Sequence, residues 1–413
     1  MTVSIDDIRA AARTIEGAVL HTPTVRSPTL SEEFGADIRL KLENLQYTGS
    51  FKERGALVKL TGLDAAQRRA GIVAVSAGNH AQGVARHAGK LGIPATIVMP
   101  KGTPFLKVEN TERLGARVLL EGASLAEATD FGTELAAREG RVLIHPYDDD
   151  EIIAGQGTVA LEMLADAPDL DVLVIPIGGG GLIAGNAIAA KALRPEIEIV
   201  GVEAAAFASM RAARAGAPPP PGGPTLAEGI AVRRPGTRTR PVVEALVSDI
   251  LAVDEAAIEA AVHKMVGVER LVVEGAGAAP LAALIASPER FAGRQVGLLV
   301  SGGNIDARLL ATVLMRGLVR DGRLQRLRIE VSDIPGSLAE VTEIIGAAEA
   351  NIVEIHHRRL FQDVPVKLAD LDVVVETRDR EHGAEILGRL RSAGFDARLL
   401  SSRALDPTGD IGG

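Results

Sequence analysis

The chain has 413 residues, more than one hydrophobic core usually serves, so two or three domains are expected. Apolar residues make up 46% and charged residues 24%, with eight Phe, two Tyr and no Trp, so the core must be aliphatic. The net charge of −9 argues against a general nucleic-acid binder, and the absence of Cys excludes disulfides, thiolate metal sites and a Cys nucleophile.

Asp6, Asp7 and Arg9 interrupt the N-terminus, which shows no apolar secretory segment. The longest uncharged apolar stretches, such as 276–286, are too short to span a bilayer. A cytoplasmic protein without a membrane partner is expected. Short apolar, β-branched runs at 38–42, 71–75, 95–99, 117–120, 141–144, 171–177, 197–202 and 295–300 alternate with Ala-rich stretches of helical spacing. Buried parallel strands read this way, with helices as crossovers, so an α/β protein with open, mostly parallel sheet follows. Ligands of such folds sit outside the carboxyl ends of the strands. Residues 217–224, with four consecutive prolines, form an exposed loop.

From about Arg326 the texture changes. A strand at 327–331 and a turn at 333–336 precede a helix whose inner face is Leu338, Val341, Ile344, Ile345 and Ala348. Strands at 352–356 and 371–376, a helix at 382–392 and a strand at 397–400 complete a βαββαβ, ferredoxin-like order. The expected division is a catalytic part at 1–319, a polar linker at 320–326, this module at 327–402 and a tail at 403–413.

Four stretches could carry chemistry. In Thr48-Gly49-Ser50-Phe51-Lys52-Glu53-Arg54-Gly55-Ala56, Ser50 and Glu53 read as a capping box, which makes Lys52 an ordinary first-turn residue. Against that, the positive end of a helix disfavours an ammonium and favours the neutral amine a Schiff-base lysine needs. Ser76-Ala77-Gly78-Asn79-His80-Ala81-Gln82-Gly83 reads as a polar turn, or as consecutive N–H groups holding a carboxylate, with Asn79 able to donate to a phenolate oxygen. In Gly178-Gly179-Gly180-Gly181-Leu182, four tandem glycines cost entropy and leave N–H groups unobstructed, as a phosphate cradle at a helix start requires. Gly179-x-Gly181-x-x-Ala184 with Glu203 ending the next strand also fits a dinucleotide site. Ser301-Gly302-Gly303-Asn304 puts a hydroxyl at a strand end, facing a cofactor heteroatom or merely turning the chain. No metal site is expected among the scattered histidines.

In this order, together with Ala154-Gly155-Gln156-Gly157-Thr158, the motifs resemble those of the threonine dehydratases (threonine ammonia-lyases), fold-type II pyridoxal-phosphate enzymes, over roughly residues 5–319. The resemblance implies two open, mostly parallel sheet domains, the smaller at about 47–144 inserted in the larger, with pyridoxal phosphate as cofactor. It implies dehydration and deamination of L-threonine to 2-oxobutanoate and ammonia, L-serine giving pyruvate. Lys52 is similar to the lysine that bonds the cofactor and then removes the α-proton, with Phe51 beside the pyridine ring. Asn79 resembles the partner of the phenolate oxygen, Gly178, Gly179, Gly180, Gly181 and Leu182 the phosphate loop, and Ser301 the hydroxyl at the ring nitrogen. Ser76, Ala77, Gly78, Asn79 and His80 resemble the substrate-carboxylate clamp.

Ala77 stands where racemases of this fold carry a serine base, and Ser209 where their later acidic metal ligand follows the Gly201-Val202-Glu203 run, so neither racemisation nor a divalent ion is expected. The C-terminal module resembles a single ACT-type regulatory domain. That likeness implies that Asp333, Pro335, Gly336, Ser337 and Leu338 meet an amino-acid effector, isoleucine being the logical one, and that copies pair in a homodimer or homotetramer. A serine- or hydroxyaspartate-preferring lyase, a nicotinamide oxidoreductase and an inactive amino-acid sensor stand as alternatives.

Overall fold

The computed structural model describes residues 2–358 and 367–400; the tail expected at 403–413 lies outside them. The chain forms two compact units that divide between Ile305 and Asp306.

In the first unit, a capping box between Ser4 and Asp7 starts α1 (Ile5–Ile15). Next come β1 (Thr24–Arg26), α2 (Pro28–Phe34), β2 (Asp37–Leu42), α3 (Lys52–Gly62) and α4 (Ala65–Ala70). Strands and helices then alternate: β3 (Ile72–Val75), α5 (Asn79–Leu91), β4 (Ala95–Met99), α6 (Phe105–Arg113), β5 (Arg117–Leu120), α7 (Leu125–Glu139) and β6 (Val142–Ile144). These four strands make an all-parallel sheet of order β5-β4-β3-β6. The unit continues with α8 (Asp150–Asp166), β7 (Val172–Pro176), α9 (Gly181–Leu193), β8 (Glu198–Ala204), α10 (Ser209–Arg214) and α11 (Thr239–Leu246). It ends with β9 (Asp249–Val253), α12 (Glu255–Gly267), α13 (Gly275–Ala286) and β10 (Gln295–Val300). The larger sheet has the order β1-β2-β10-β7-β8-β9 and is parallel except at β1–β2.

Each apolar run read as a strand in this unit is one, to within two residues at either end. The strands that reading misses, β1 and β9, are the two edges of the larger sheet. They alternate poorly because only part of each is buried.

Helices α3, α8 and α9 approach where side chains are missing. A Cβ on Gly155 would lie 2.5 Å from Gly55 Cα, and one on Gly157 would lie 2.7 Å from Gly185 O. Gln156 Oε1 accepts from Gly55 N–H at 3.2 Å, and Asn186 Nδ2 donates to Gln156 O at 3.1 Å. The 154–158 motif is therefore a packing device between the lysine helix and the glycine-loop helix.

Beneath α3 lies a buried ion network. Arg54 donates to both oxygens of Glu43 at 2.7 and 2.8 Å and to Glu162 Oε1 at 2.6 Å. Lys41 Nζ donates to Glu162 Oε2 at 2.7 Å and to Thr22 O at 2.6 Å. Burial pushes the Glu43 carboxyl up, but the adjacent Arg54 guanidinium more than offsets this and holds it low. Two cations and two carboxylates balance, so desolvation is countered by direct, charge-assisted bonds.

In the second unit, α14 (Ala307–Arg320) runs into β11 (Leu324–Ser332), then α15 (Ser337–Ala347), β12 (Asn351–Arg358), β13 (Leu368–Glu376), α16 (Arg380–Ser392) and β14 (Asp396–Leu399). The antiparallel sheet has the order β12-β13-β11-β14. Leu327, Ile329, Leu371 and Val373 pack against Val341 and Ile345 of α15 and Ile386 and Leu390 of α16. The linker expected at 320–326 is corrected here. Arg320 ends α14, and Leu324 to Arg326 already pair with β13. Gln325, polar in the sequence, is buried and donates to Gly322 O and Asp379 O, each at 3.0 Å. The division also falls at 305/306 rather than 319, with α14 packed on β11. No helix among the described residues is long and apolar enough to cross a membrane.

On β13, Asp372 is fully buried beneath Arg326 Nη2 at 2.7 Å, Arg328 Nε at 2.7 Å and Arg358 Nε at 3.2 Å. Burial pushes its carboxyl up, but the arginines outweigh that and bring it down to about 2. The folded value lies below the unfolded one of about 3.9, so the stabilisation is complete above that pH and disappears as acid titrates the folded carboxylate. Asp372→Asn should therefore lower stability most at neutral pH, and the deficit should shrink between about pH 4 and pH 2. Urea unfolding across that range checks this; a deficit that does not change with pH refutes it.

Candidate active site

The site begins where the two sheets are stitched together. Ser50 bridges to Gly302, and Phe51 N–H donates to Ser301 O at 3.1 Å, fixing the start of α3 to the end of β10. The capping box expected from Ser50 and Glu53 does not form. Phe51 occupies the cap position, Ser50 Oγ is buried without a hydrogen-bond partner, and Glu53 accepts from Thr48 N–H at 3.1 Å and meets His87 Nε2 at 3.1 Å. The β10 contact holds Ser50 away from the helix N–H groups, so Lys52 starts α3 uncapped. Its Nζ donates to Pro146 O at 2.9 Å and lies 5.2 Å from the Phe51 ring centroid. Burial pushes the ammonium down to about 8, with Glu274 pulling weakly the other way. An amine that gives up its proton near neutrality is a usable nucleophile and base.

Pro146 belongs to the loop that leads into α8. There, His145 Nδ1 accepts from Tyr147 N–H at 3.3 Å and Asp148 N–H at 2.8 Å, and its ring meets Tyr147 edge-on at 4.6 Å. Tyr147 in turn covers the glycine loop. A Cβ on Gly179 would lie 2.3 Å from its ring carbons, and one on Gly181 would lie 2.9 Å from its carbonyl oxygen. Gly180 has φ +97°, and a Cβ there would meet Thr239 Oγ1 at 2.7 Å; one on Gly178 would meet Ile230 Cα at 3.2 Å. Gly178 and Gly181 thus meet backbone, whereas Gly179 and Gly180 make room for the side chains of Tyr147 and Thr239. The helix they introduce starts at Gly181, so Leu182 sits in its first turn, where N–H groups lack intrahelical partners.

Asn79 is the first residue of α5, with Gly78 as cap. Its Nδ2 donates to Glu274 Oε1 at 2.7 Å, and its Oδ1 accepts from Asn304 Nδ2 at 2.7 Å. Ser76 Oγ accepts from Gly78 N–H at 3.2 Å and shapes the turn, while Ala77 packs on the core of the smaller sheet. The His80 side chain is committed elsewhere. It is buried with Nε2 3.0 Å from Ile144 O, and burial pushes its imidazolium down to about 3, so it offers only a backbone N–H to the helix start. Ser301 is nearly fully buried at the end of β10.

Sequence reading misses Glu274, Tyr147 and Thr239. Glu274 left one trace: it is a lone carboxylate immediately before the uncharged helix α13. Burial pushes it up to about 7. Glu203, the ribose ligand of the dinucleotide alternative, is buried and spends its oxygens on Met210 N–H at 2.8 Å and Arg211 N–H at 2.9 Å. Ser209 Oγ donates to Val232 O at 2.7 Å. Among the described residues no group of three His, Asp or Glu is arranged to hold a metal. In the second unit, Asp333, Pro335 and Gly336 turn the chain between β11 and α15, which opens with Ser337 and Leu338; Gly336, at φ +100°, is the cap.

A desolvated lysine, a glycine loop whose N–H groups open a helix and an open α/β scaffold define an enzyme that works with a phosphorylated aldehyde. The chain belongs to the pyridoxal-phosphate dependent enzyme family, matched over residues 15–302, and carries an ACT domain at 325–395. It is 41% identical over 400 residues to an L-threonine ammonia-lyase of Thermotoga maritima, spanning 96% of this chain and 100% of that protein. It is 42% identical over 312 residues to the catabolic L-threonine dehydratase of Escherichia coli K12, spanning 74% and 94%. Among solved structures it resembles a threonine deaminase from T.th. (TM-score 0.68, 40% identity, 73% of this chain and 99% of that one). Maize serine racemase is as similar in fold (TM-score 0.71, 36% identity, 78% and 99%).

The residues present fit pyridoxal phosphate, because the loop at Gly178–Gly181 carries no side chains of its own at the start of α9 and Lys52 is hydrogen-bonded to Pro146, next to the Tyr147 that packs on that loop. Gly179→Ala should drive a methyl into the Tyr147 ring, an overpacking of about 1–3 kcal/mol, and weaken cofactor retention about tenfold. Gly179→Ala with Tyr147→Ala should recover part of the loss. Equilibrium dialysis measures both; unchanged retention in Gly179→Ala refutes the contact.

Proposed function

We propose that this chain is a threonine ammonia-lyase, converting L-threonine to 2-oxobutanoate and ammonia, and also L-serine to pyruvate. The observation that carries the reading is Lys52, a desolvated amine at an uncapped helix start, whose Nζ donates to Pro146 O, next to the Tyr147 that packs on the glycine loop. Similarity across both units to an L-threonine ammonia-lyase selects the substrate.

When bound, pyridoxal phosphate supplies the sink for the electron pair left by the α-proton. The N–H groups of Gly178, Gly179, Gly180, Gly181 and Leu182 would hold its phosphate, Phe51 would pack against its ring, and Asn79 would donate to its phenolate oxygen. In the turn Ser76, Ala77, Gly78, Asn79 and His80, the Ser76 and Gly78 N–H groups are spent on Val98 O and Ser76 Oγ, so the N–H groups of Ala77, Asn79 and His80 would orient the substrate carboxylate. Lys52 Nζ removes the α-proton as a positioned general base. Ser301 would offer a neutral hydroxyl, not a carboxylate, to the ring nitrogen, and so would not hold that nitrogen protonated. Ala77 provides no base on the opposite face, so no proton is returned there. Loss of water leaves an enamine that, once released, takes up water to give the keto acid and ammonia.

Lys52→Ala should abolish the visible absorption of the holoenzyme and lower keto-acid formation from threonine at least about a hundredfold. An active, yellow Lys52→Ala protein overturns the assignment. A substrate panel separates this reading from a serine- or hydroxyaspartate-preferring lyase. The dinucleotide reading is disfavoured by Glu203, whose carboxylate is spent on α10.

The C-terminal unit is read as the effector site of a homo-oligomer. Asp333, Pro335, Gly336, Ser337 and Leu338 lie at the start of α15, where N–H groups suit the carboxylate of an amino acid such as isoleucine. Saturation by threonine should shift about 5–150-fold with isoleucine. Identical curves with and without isoleucine or valine exclude branched-chain control.

A further inference from the structure

The amide of Asn79 is gripped at both ends. Its oxygen takes the Asn304 N–H and its nitrogen gives one hydrogen to Glu274, each at 2.7 Å. Asn304 cannot turn round, because its Nδ2 also donates to Thr48 O at 2.7 Å. An amide nitrogen carries two hydrogens, so one Asn79 N–H is left, and its direction is set. Two glycines make room for the grip. A Cβ on Gly302 would lie 2.5 Å from Glu274 Oε1, and one on Gly49, at φ +69°, would lie 2.6 Å from Asn304 Oδ1. Glu274 is anchored in its own right, its N–H donating to Gly302 O at 3.1 Å. The turn after β10 therefore does more than present Ser301: its glycine and its asparagine both serve Asn79.

We propose that Glu274 is a positioning residue which, with Asn304, fixes the direction in which Asn79 donates its remaining N–H into the site. The proposal rests on the reading above that Asn79 faces the cofactor. The charged groups that face Glu274 are Lys52 of α3, Lys107 of α6 and Glu228 in the loop before α11. Burial leaves its carboxyl titrating at about 7. The carboxylate accepts strongly from Asn79 above that pH, whereas the protonated form accepts less well, so the grip tightens as pH rises.

The test follows cofactor retention by the holoenzyme on dialysis, together with its visible absorption from about pH 6 to pH 8, a range that brackets this titration. Glu274→Ala and Asn79→Ala are each expected to weaken retention about tenfold. The double variant should be no worse than Asn79→Ala alone, since one residue acts through the other. Glu274→Gln keeps an acceptor oxygen and should retain cofactor within about threefold of the parent, yet lose the spectral change near neutral pH. It also serves if the alanine variant does not fold. Additive losses, unaltered retention in Glu274→Ala, or a pH-dependent band in Glu274→Gln matching the parent's would each overturn the proposal. If the parent retains cofactor but Asn79→Ala is indifferent, the placement of Asn79 against the cofactor fails, and this inference with it.

Discussion

Gly55 of α3 and Gly155 of α8 meet backbone to backbone, and Arg54, Glu43, Glu162 and Lys41 close the space beneath them with paired charges. This contact sets the depth at which the lysine helix lies. A methyl group at either glycine would lift α3 from α8, and α8 rests on α9 through the same kind of contact at Gly157 and Gly185. The amine of Lys52 and the N–H groups at the start of α9 are therefore placed relative to each other through helix backbones. A core of this kind tolerates no added volume, because interiors are already packed to crystal density.

Desolvation then gives the site its chemical character. It brings Lys52 down to about 8, Glu274 up to about 7 and His80 down to about 3. Each shift favours the uncharged form, as burial must. The groups part company in their partners. His80 is tied to Ile144 O and stays neutral, whereas Lys52 and Glu274 each face the other's charge and remain able to exchange protons near physiological pH. Arg54, two residues after Lys52, keeps its charge because two carboxylates surround it.

Much of this was legible in the sequence. Continuous apolar runs located the smaller sheet and the inner strands of the larger one, since most of these strands are buried on both faces and have no alternation to disguise them. The edge strands β1 and β9, which are only partly covered, left no such signature. Among the motif residues, Phe51, next to Lys52, is hydrogen-bonded to Ser301, Asn79 meets the turn after β10 through Asn304, and Lys52 is linked to the glycine loop through Pro146 and Tyr147. What could not be read was how polar residues would choose among partners. Ser50 and Glu53 are spaced as a cap, yet β10 claims the first and His87 with Thr48 the second. Gln325 looked like tether and is a buried bracket between Gly322 and Asp379. Glu274 stood apart from every recognisable motif, because its meaning comes from Asn79, far away in the chain.

The strand order of the larger sheet has a consequence for how the protein is made. β2 emerges early and β10 near the end of the first unit, yet they are neighbours and lie in parallel register from Asp37–Gln295 to Leu42–Val300. The smaller sheet, by contrast, uses only the contiguous segment from Ile72 to Ile144. During synthesis that segment can close on itself while β2 waits, unpaired on the side that β10 will fill. Such distant pairings are the slow ones, since a long loop must be closed before any contact rewards it. The backbone bond from Phe51 to Ser301 joins the start of α3 to β10, so it can form only after the chain has been made as far as β10.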